Sequence, residues 1–142
     1  MSQGMAIVLV ILASIFVIAL GLHAYKQLLQ KRLQRMVENE YNAAVTLWNY
    51  GRLVKNQLDE TVRQRAGVID FYKITVPHSP GYRVVLELSG YRFRVYAVPE
   101  KYHRTGRLSF YLDNEVTVRA SDRAGEPAGE QDPEYEGETT AA

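Results

Sequence analysis

Residues 5–22 read MAIVLVILASIFVIALGL and contain neither a charged side chain nor a proline. A helix needs about 20 apolar residues, each rising ~1.5 Å, to cross the hydrocarbon core of a bilayer. The run has this length and is apolar on every face. We therefore predict a membrane-spanning helix over residues 5–25, preceded by a short tail or leader at residues 1–4.

Two other interpretations of this apolar run are less favourable. A buried core helix would have to be surrounded on all faces, and a chain of 142 residues is too short to do so. A cleaved signal peptide would need a basic segment before the run and a small-residue cleavage site after it, and the sequence has neither.

The helix is predicted to continue as an amphipathic helix over residues 26–66. Apolar side chains recur there at steps of three and four, as one face of a helix requires. Gly51 costs ~1 kcal/mol relative to alanine inside a helix, which indicates either a dent in the helix or a close packing partner. Arg63 and Arg65 suit the last turn of a helix, and Gly67 suits the position beyond it. The apolar positions are Leu29, Leu33, Val37, Tyr41, Ala44, Leu47, Trp48, Val54, Leu58 and Val62.

After Gly67 the apolar residues alternate, which predicts a small antiparallel β-domain over residues 67–122. Residues 68–76 form a possible first strand. Residues 82–98 predict a hairpin with a two-residue turn at Ser89 and Gly90. The predicted apolar pairs are Leu88 with Tyr91, Leu86 with Phe93, Val84 with Val95, and Tyr82 with Ala97, while Glu87 lies opposite Arg92 on the other face.

Residues 108–120 predict a second hairpin. A two-residue turn would mix its apolar and polar faces, so we expect a three-residue turn with Asn114 in the left-handed conformation. The predicted pairs are Leu112 with Val116, Phe110 with Val118, and Leu108 with Ala120. The predicted fold is therefore α+β: a long N-terminal helix, membrane-spanning and then amphipathic, packed on a small antiparallel β-sheet.

Residues 123–142 differ in composition from the rest of the chain. The net charge is only +1, but between residues 126 and 138 there are six acidic side chains and no Lys or Arg. Prolines, glycines and threonines accompany them, which predicts a disordered, solvated acidic tail. An acidic arm that docks on the basic domain is the alternative.

A group of basic residues is the candidate interaction site. Three of them are predicted on the outer face of the first hairpin and three in the loop that follows it, with Tyr96 nearby. Basic residues interleaved with aromatics can contact nucleic acid or anionic lipid, although a solvated sheet face is the commoner outcome and nucleic acid is not an expected partner. The residues are Arg83, Arg92, Arg94, Lys101, Arg104 and Arg107.

The sequence offers no catalytic constellation. Cysteine is absent, which excludes disulfides, thiolate metal sites and a thiol nucleophile. His23, His78 and His103 have no partner at metal-ligand spacing, and neither a nucleophile motif nor a phosphate-binding glycine loop is present. We expect no enzyme activity, no cofactor and no metal.

The order of a membrane helix, an amphipathic continuation and a small antiparallel sheet resembles that of type IV pilins and type II secretion pseudopilins. Gly4 and Met5 are similar to the junction cut by prepilin peptidase, and residues 90–93, 106–113 and 118–122 resemble pilin C-terminal strands. The resemblance covers nearly the whole chain through motifs of low specificity. It implies a structural subunit of a pilus or secretion assembly that acts by helix packing, with Met5 as the processed N-terminus.

The expected partners are the lipid bilayer and other membrane-helix subunits, as a homo- or hetero-oligomer. The resemblance implies a single-pass protein of the inner (cytoplasmic) membrane whose β-domain lies outside the cytoplasm, and we favour this location. However, Lys26, Lys31, Arg32 and Arg35 follow the apolar run, while residues 1–4 carry no basic side chain. By the positive-inside rule this flank is cytoplasmic. A bitopic membrane protein whose cytoplasmic β-domain scaffolds or recruits a partner is therefore the alternative.

Overall fold

The computed structural model describes residues 2–63 and 75–137. It contains one helix, α1 (Gln3–Arg63), and four strands, β1 (Tyr82–Ser89), β2 (Arg92–Pro99), β3 (Ser109–Asp113) and β4 (Arg119–Ser121). The strands form one antiparallel sheet in the order β1-β2-β3-β4. The prediction of a long N-terminal helix followed by a small antiparallel sheet is confirmed. The chain divides into two compact units, Met1–Gln34 and Arg35–Ala142.

The first unit contains the apolar part of α1. The helix begins at Gln3, two residues before the predicted start, because Ser2 caps it. The Met5 N–H donates to the Ser2 carbonyl (3.0 Å) and is 3.4 Å from the Ser2 hydroxyl, as an N-cap serine allows. Residues 7–34 are exposed, and by length and composition this helix can cross a membrane.

The second unit has its core between the later part of α1 and the inner face of the sheet. Alternation along the strands places the side chains of Tyr82, Phe93, Val95, Phe110 and Leu112 on this face. The helix contributes Ala43, Ala44, Leu47, Tyr50, Val54 and Leu58 to the same buried cluster. A Cβ atom at Gly51 would overlap the Leu112 side chain, so this glycine does have the close packing partner that its mid-helix position predicts.

The face of α1 that packs on the sheet is only partly the predicted one. Ala44, Leu47, Val54 and Leu58 are buried as expected, but Leu29, Leu33, Val37, Tyr41, Trp48 and Val62 are exposed. The helix carries two apolar stripes whose spacings both suit a 3.6-residue period. The sheet packs on the stripe that holds Ala43, Leu47 and Gly51, because small side chains allow the strands to approach the helix closely.

The first hairpin forms, but its predicted register is wrong by two residues. Leu86 lies opposite Val95 and Leu88 opposite Phe93, whereas Glu87 lies opposite Arg94 and not Arg92. Gly90 and Tyr91 form the turn, and the positive φ of Gly90 (62°) suits the first central position of a type II′ turn. The side-chain period is two, so a two-residue shift leaves every apolar residue on its predicted face.

The second hairpin forms with a longer turn than predicted. Phe110 pairs with Ala120 instead of Val118, and residues 114–118 connect the strands. The left-handed residue is Val116 (φ 58°) rather than Asn114. The Asn114 side chain instead bonds the first hairpin, accepting from the Phe93 N–H (2.9 Å) and donating to the Tyr91 carbonyl (2.9 Å).

Residues 123–137 lie against the domain, in contrast to the predicted disordered tail. Asp132 is 6% exposed and Ala128 is buried. The Ala120 N–H donates to the Pro133 carbonyl (3.0 Å) and the Tyr135 N–H to the Val118 carbonyl (2.8 Å). The segment thereby covers the β4 edge of the sheet, which would otherwise be open to pairing with another chain. The prediction from the acidic composition was wrong because basic side chains on and after β4 bind these residues.

Some predictions fall outside the described residues. The last predicted residues of the helix, 64–66, the Gly67 cap and most of the possible strand 68–76 lie there, as do residues 138–142 of the tail. Residues 75–77 are described and have no regular secondary structure.

Candidate interaction surfaces

The predicted processing junction lies in the first turn of α1. Gly4 and Met5 are both helical and exposed, and a Cβ atom at Gly4 would meet no other atom within 4 Å. The junction is thus accessible on the helix surface.

The predicted basic residues are all exposed but form two separate groups. Arg83, Arg92 and Arg94 lie on the outer face of β1 and β2, whereas Lys101, Arg104 and Arg107 lie in the loop between β2 and β3. The two groups are built on different parts of the domain. The sequence predicted the exposure of these residues but not their separation.

The outer sheet face is mixed in charge. Glu87 pairs in register with Arg94 and accepts a hydrogen bond from the Tyr96 hydroxyl (3.3 Å). Tyr96 packs on Tyr111 with ring centroids 5.6 Å apart, and the Tyr111 hydroxyl donates to Asp113 (3.0 Å). Burial and this hydrogen bond raise the pKa of Tyr111 to about 12. Carboxylates beside the arginines make the face a poor match for a polyanion such as nucleic acid.

The loop between β2 and β3 is fixed to α1 by two polar side chains that the sequence did not single out. Asn39 donates to the Thr105 carbonyl (2.9 Å). One carboxylate oxygen of Glu40 accepts from the N–H groups of Arg107 (2.8 Å) and Leu108 (3.1 Å). Glu40 is only 8% exposed. It lies three and four residues before the apolar Ala43 and Ala44, and this helical spacing is the feature of the sequence that places it on the buried stripe.

Tyr82 completes this junction between helix and loop. Its hydroxyl donates to the Leu108 carbonyl (2.7 Å), and burial together with the nearby Glu40 raises the pKa of this phenol. A Cβ atom at Gly106 would overlap the Tyr82 ring, so only glycine fits at this position of the loop. Tyr82 therefore remains a neutral hydrogen-bond donor at physiological pH, and the loop has a single defined path.

The same loop carries a smaller polar cluster. The Tyr102 hydroxyl donates to Asp122 (2.8 Å), and the Arg107 guanidinium lies 3.8 Å from the same carboxylate. The hydrogen bonds from Tyr102 and from the Ala124 N–H lower the pKa of Asp122. His103 packs on Tyr102, with ring centroids 4.2 Å apart. The cluster is exposed and links the loop to the end of β4.

A groove runs along the flank of α1. On one side it is formed by the exposed apolar stripe of the helix, and on the other by the β3–β4 turn and the end of the C-terminal segment. Its volume is about 390 Å³, and we call it the flank groove; its lining residues are Tyr41, Ala44, Val45, Trp48, Val116, Thr117, Val118, Glu134, Tyr135, Glu136 and Gly137.

Aromatic side chains and carboxylates give the flank groove its chemistry. Tyr41 is 52% exposed and Trp48 is 43% exposed, and the Arg52 guanidinium lies 4.6 Å above the Trp48 ring, within cation–π range. Glu134 and Glu136 line the opposite side, and neither has an ion-pair partner among residues 2–63 and 75–137. The helix side of the groove, which we call its base, is thus apolar and aromatic, and the opposite side, which we call its rim, carries two carboxylates.

The turn of the first hairpin is the other prominent surface feature, and we call residues 88–92 the hairpin tip. Tyr91 is 61% exposed, and Arg92 beside it makes no ion pair within the part of the chain that the structure describes. The two hydrogen bonds from Asn114 hold the backbone on both sides of Arg92. An exposed aromatic ring is therefore presented on a fixed turn.

The three histidines are dispersed as the sequence predicts. His23 lies on α1 and hydrogen-bonds Gln27 (3.0 Å), His78 precedes β1, and His103 lies in the loop after β2. Among the described residues, no three His, Asp or Glu side chains are grouped so as to hold a metal ion.

Comparisons with protein-family models, with curated proteins and with solved structures found no match to this chain.

Proposed function

We propose that this protein is a membrane-anchored, pilin-like or pseudopilin-like structural subunit of a pilus or secretion assembly. The observation that carries this proposal is the composition of α1. One helix supplies both an apolar segment with no buried residue in its most apolar stretch and the helical side of the core of a small antiparallel domain. Residues 5–25 would anchor the subunit in the membrane, where an unaccompanied helix of this composition is stable.

The second apolar stripe of α1 supports a role in assembly. In the second unit Val37, Tyr41, Val45 and Trp48 are exposed on the helix although the sheet already covers its other stripe. Exposed apolar residues in a contiguous row are typical of interaction surfaces. Packing of this stripe against other subunits would bury them, and no catalytic step is needed.

A second function is favoured by the charges that follow the apolar segment. Lys26, Lys31, Arg32 and Arg35 lie within the distance from the membrane end over which basic residues determine orientation. If they hold their flank in the cytoplasm, the β-domain would scaffold or recruit a cytoplasmic partner. This function and the pilin-like function place the domain on opposite sides of the membrane.

The side of the membrane is tested with reporters fused after Ala142. Alkaline phosphatase activity at this point supports the pilin-like proposal, whereas fluorescence from a reporter that matures only in the cytoplasm contradicts it. The double variant Ser2→Lys/Gln3→Lys is the matched test of the charge rule. It adds basic residues before the apolar segment, so phosphatase activity should be unchanged or higher if the domain is already outside.

Processing at Gly4–Met5 is tested by measuring the intact mass of the full chain purified from membranes with and without a co-expressed prepilin peptidase. A mass that begins at Met5 only when the peptidase is present supports the proposal. Gly4→Leu, which the helix accommodates, is the matched control and should block the cut. An unchanged mass in all samples contradicts a pilin-like maturation.

A further inference from the structure

We propose that the flank groove of one copy of this chain receives the hairpin tip of a second copy, with Tyr91 as the inserted side chain. The inference rests on the proposed role as an assembly subunit and names the surfaces that would join two domains. The occupant is thus a second copy, bound through two different patches.

The flank groove has a volume and a lining that suit a single large side chain. Its volume is about 390 Å³, which accommodates one or two side chains. The base of the groove offers Tyr41, Val45 and Trp48, and aromatic pairs contribute ~0.5–1.5 kcal/mol beyond the burial of their area. A single exposed aromatic side chain therefore fits this site.

The hairpin tip presents such a side chain with little conformational freedom. Tyr91 is 61% exposed, and the Asn114 amide holds the Tyr91 carbonyl and the Phe93 N–H. Ordering a flexible loop costs binding energy, and a fixed turn has already lost this freedom in the unbound state. Tyrosine also offers a large contact area with only two side-chain torsions to fix.

Charge complementarity identifies the partner of the groove as this chain. The groove rim carries Glu134 and Glu136 without ion-pair partners within residues 2–63 and 75–137, and the tip carries Arg92, which is also unpaired there. Arg94 lies two residues further along β2 on the same face. Tyr91 and the arginines would thus meet an aromatic base and an acidic rim, which favours this pairing over a contact of two identical patches.

A contact between two different patches has a consequence for assembly. Each copy would offer both a tip and a groove, so a pair joined by one such contact still has one free tip and one free groove, and the contact can extend into rings or open filaments. A pair joined tip to groove in both directions would instead close as a two-fold dimer.

Disulfide cross-linking tests the contact in the full chain, because the sequence has no cysteine of its own. Ser89→Cys marks the hairpin tip and Thr117→Cys marks the groove wall, and both substitutions retain Tyr91, Tyr41 and Trp48. After mild oxidation of membranes, the double variant is expected to give a ladder of cross-linked multimers. Each single variant is the matched control and should give no ladder.

Charge reversal then tests the pairing itself in the cysteine double variant. Arg92→Glu places like charges together at the rim and should lower the yield of multimers by about tenfold. Adding Glu134→Arg and Glu136→Arg to that variant should restore the ladder. Arg83→Glu is the matched control, because Arg83 is an exposed arginine at the far end of β1, and it should leave the yield unchanged.

Three results would overturn the inference: no cross-links in the double cysteine variant, dimers at equal yield in the single variants, or an Arg83→Glu effect equal to that of Arg92→Glu. Trp48 fluorescence during denaturation in detergent checks that each variant is folded. The result of the reporter fusions is independent of this experiment, because the cross-links report the contact whichever side of the membrane the domain lies on. A cytoplasmic domain with a ladder would reject the pilin-like function alone, and an external domain without one would reject this interface alone.

Discussion

Glu40 provides the sharpest test of how α1 and the β-domain are joined. Its carboxylate accepts from two backbone N–H groups, those of Arg107 and Leu108, at 2.8 and 3.1 Å. Replacing Glu40 with alanine leaves both donors without an acceptor in a partly buried junction. An orphaned buried donor costs about 1–3 kcal/mol, and partial access of water to the loop favours the lower half of that range. We expect Glu40→Ala to destabilise the domain by about 2–4 kcal/mol.

Two further variants separate the hydrogen bonds from other effects. Glu40→Gln keeps a carbonyl acceptor but loses the charge, so its cost should be about 1–2 kcal/mol. Glu38→Ala removes an exposed glutamate from the same helix and should change the stability by less than about 0.5 kcal/mol.

The assay is denaturant unfolding of the full chain in detergent micelles. The chain has a single tryptophan, Trp48, which borders the domain and reports its unfolding by fluorescence. The expected order of stability is wild type, Glu38→Ala, Glu40→Gln and then Glu40→Ala. Equal stabilities of Glu40→Ala and Glu38→Ala would show that the carboxylate does not hold the loop.

Three other substitutions test the core and the C-terminal segment in the same assay. Gly51→Ala should destabilise the domain by about 1–3 kcal/mol through overlap with Leu112, although alanine favours a helix by ~1 kcal/mol elsewhere; a stabilised variant would refute the close approach. Phe93→Asp places a carboxylate at a fully buried site and should cost about 4 kcal/mol or more, so a folded, monomeric variant would show that this face is not the core. Burial opposes ionisation of Asp132, but the hydrogen bonds from Arg123 and from a backbone N–H outweigh it and lower the pKa of Asp132 from 3.8. The stability from this carboxylate is therefore present above pH 3.8 and is lost as the pH falls through the lower folded-state value. Asp132→Asn should remove this part of the acid sensitivity. If the variant and the wild type lost the same free energy of unfolding between pH 7 and pH 3, this role of the carboxylate would be contradicted.

Part of the candidate interaction surfaces could be predicted from the sequence. Alternation along the strands was enough to place Arg83, Arg92 and Arg94 on the outer face, because the side-chain period of a strand is two whatever its register. The flank groove could not be predicted, since its lining comes from residues 41–48, 116–118 and 134–137. Local patterns contain no information about which distant segments come together.

The turns show why the register was the weaker part of the prediction. Both Ser89-Gly90 and Gly90-Tyr91 are acceptable two-residue turns by composition, and both leave the apolar face intact. The Asn114 side chain fixes the observed turn from a segment more than twenty residues away along the chain. Similarly, asparagine tolerates the left-handed conformation, but here its amide is engaged with the first hairpin and Val116 takes the positive φ instead.

The sequence by itself determined the long helix, its uncharged first part, the antiparallel sheet and the face on which each strand residue lies. These features follow from local periodicity and from the length of an apolar run, which act within a few residues of each position. Only the tertiary structure decided which of the two apolar stripes of α1 packs on the sheet, because the small side chains of Ala43 and Gly51 matter only when Leu112 approaches them. It also decided that residues 123–137 dock on the domain, since their acidic composition disfavours order until Arg119 and Arg123 are near enough to bind them.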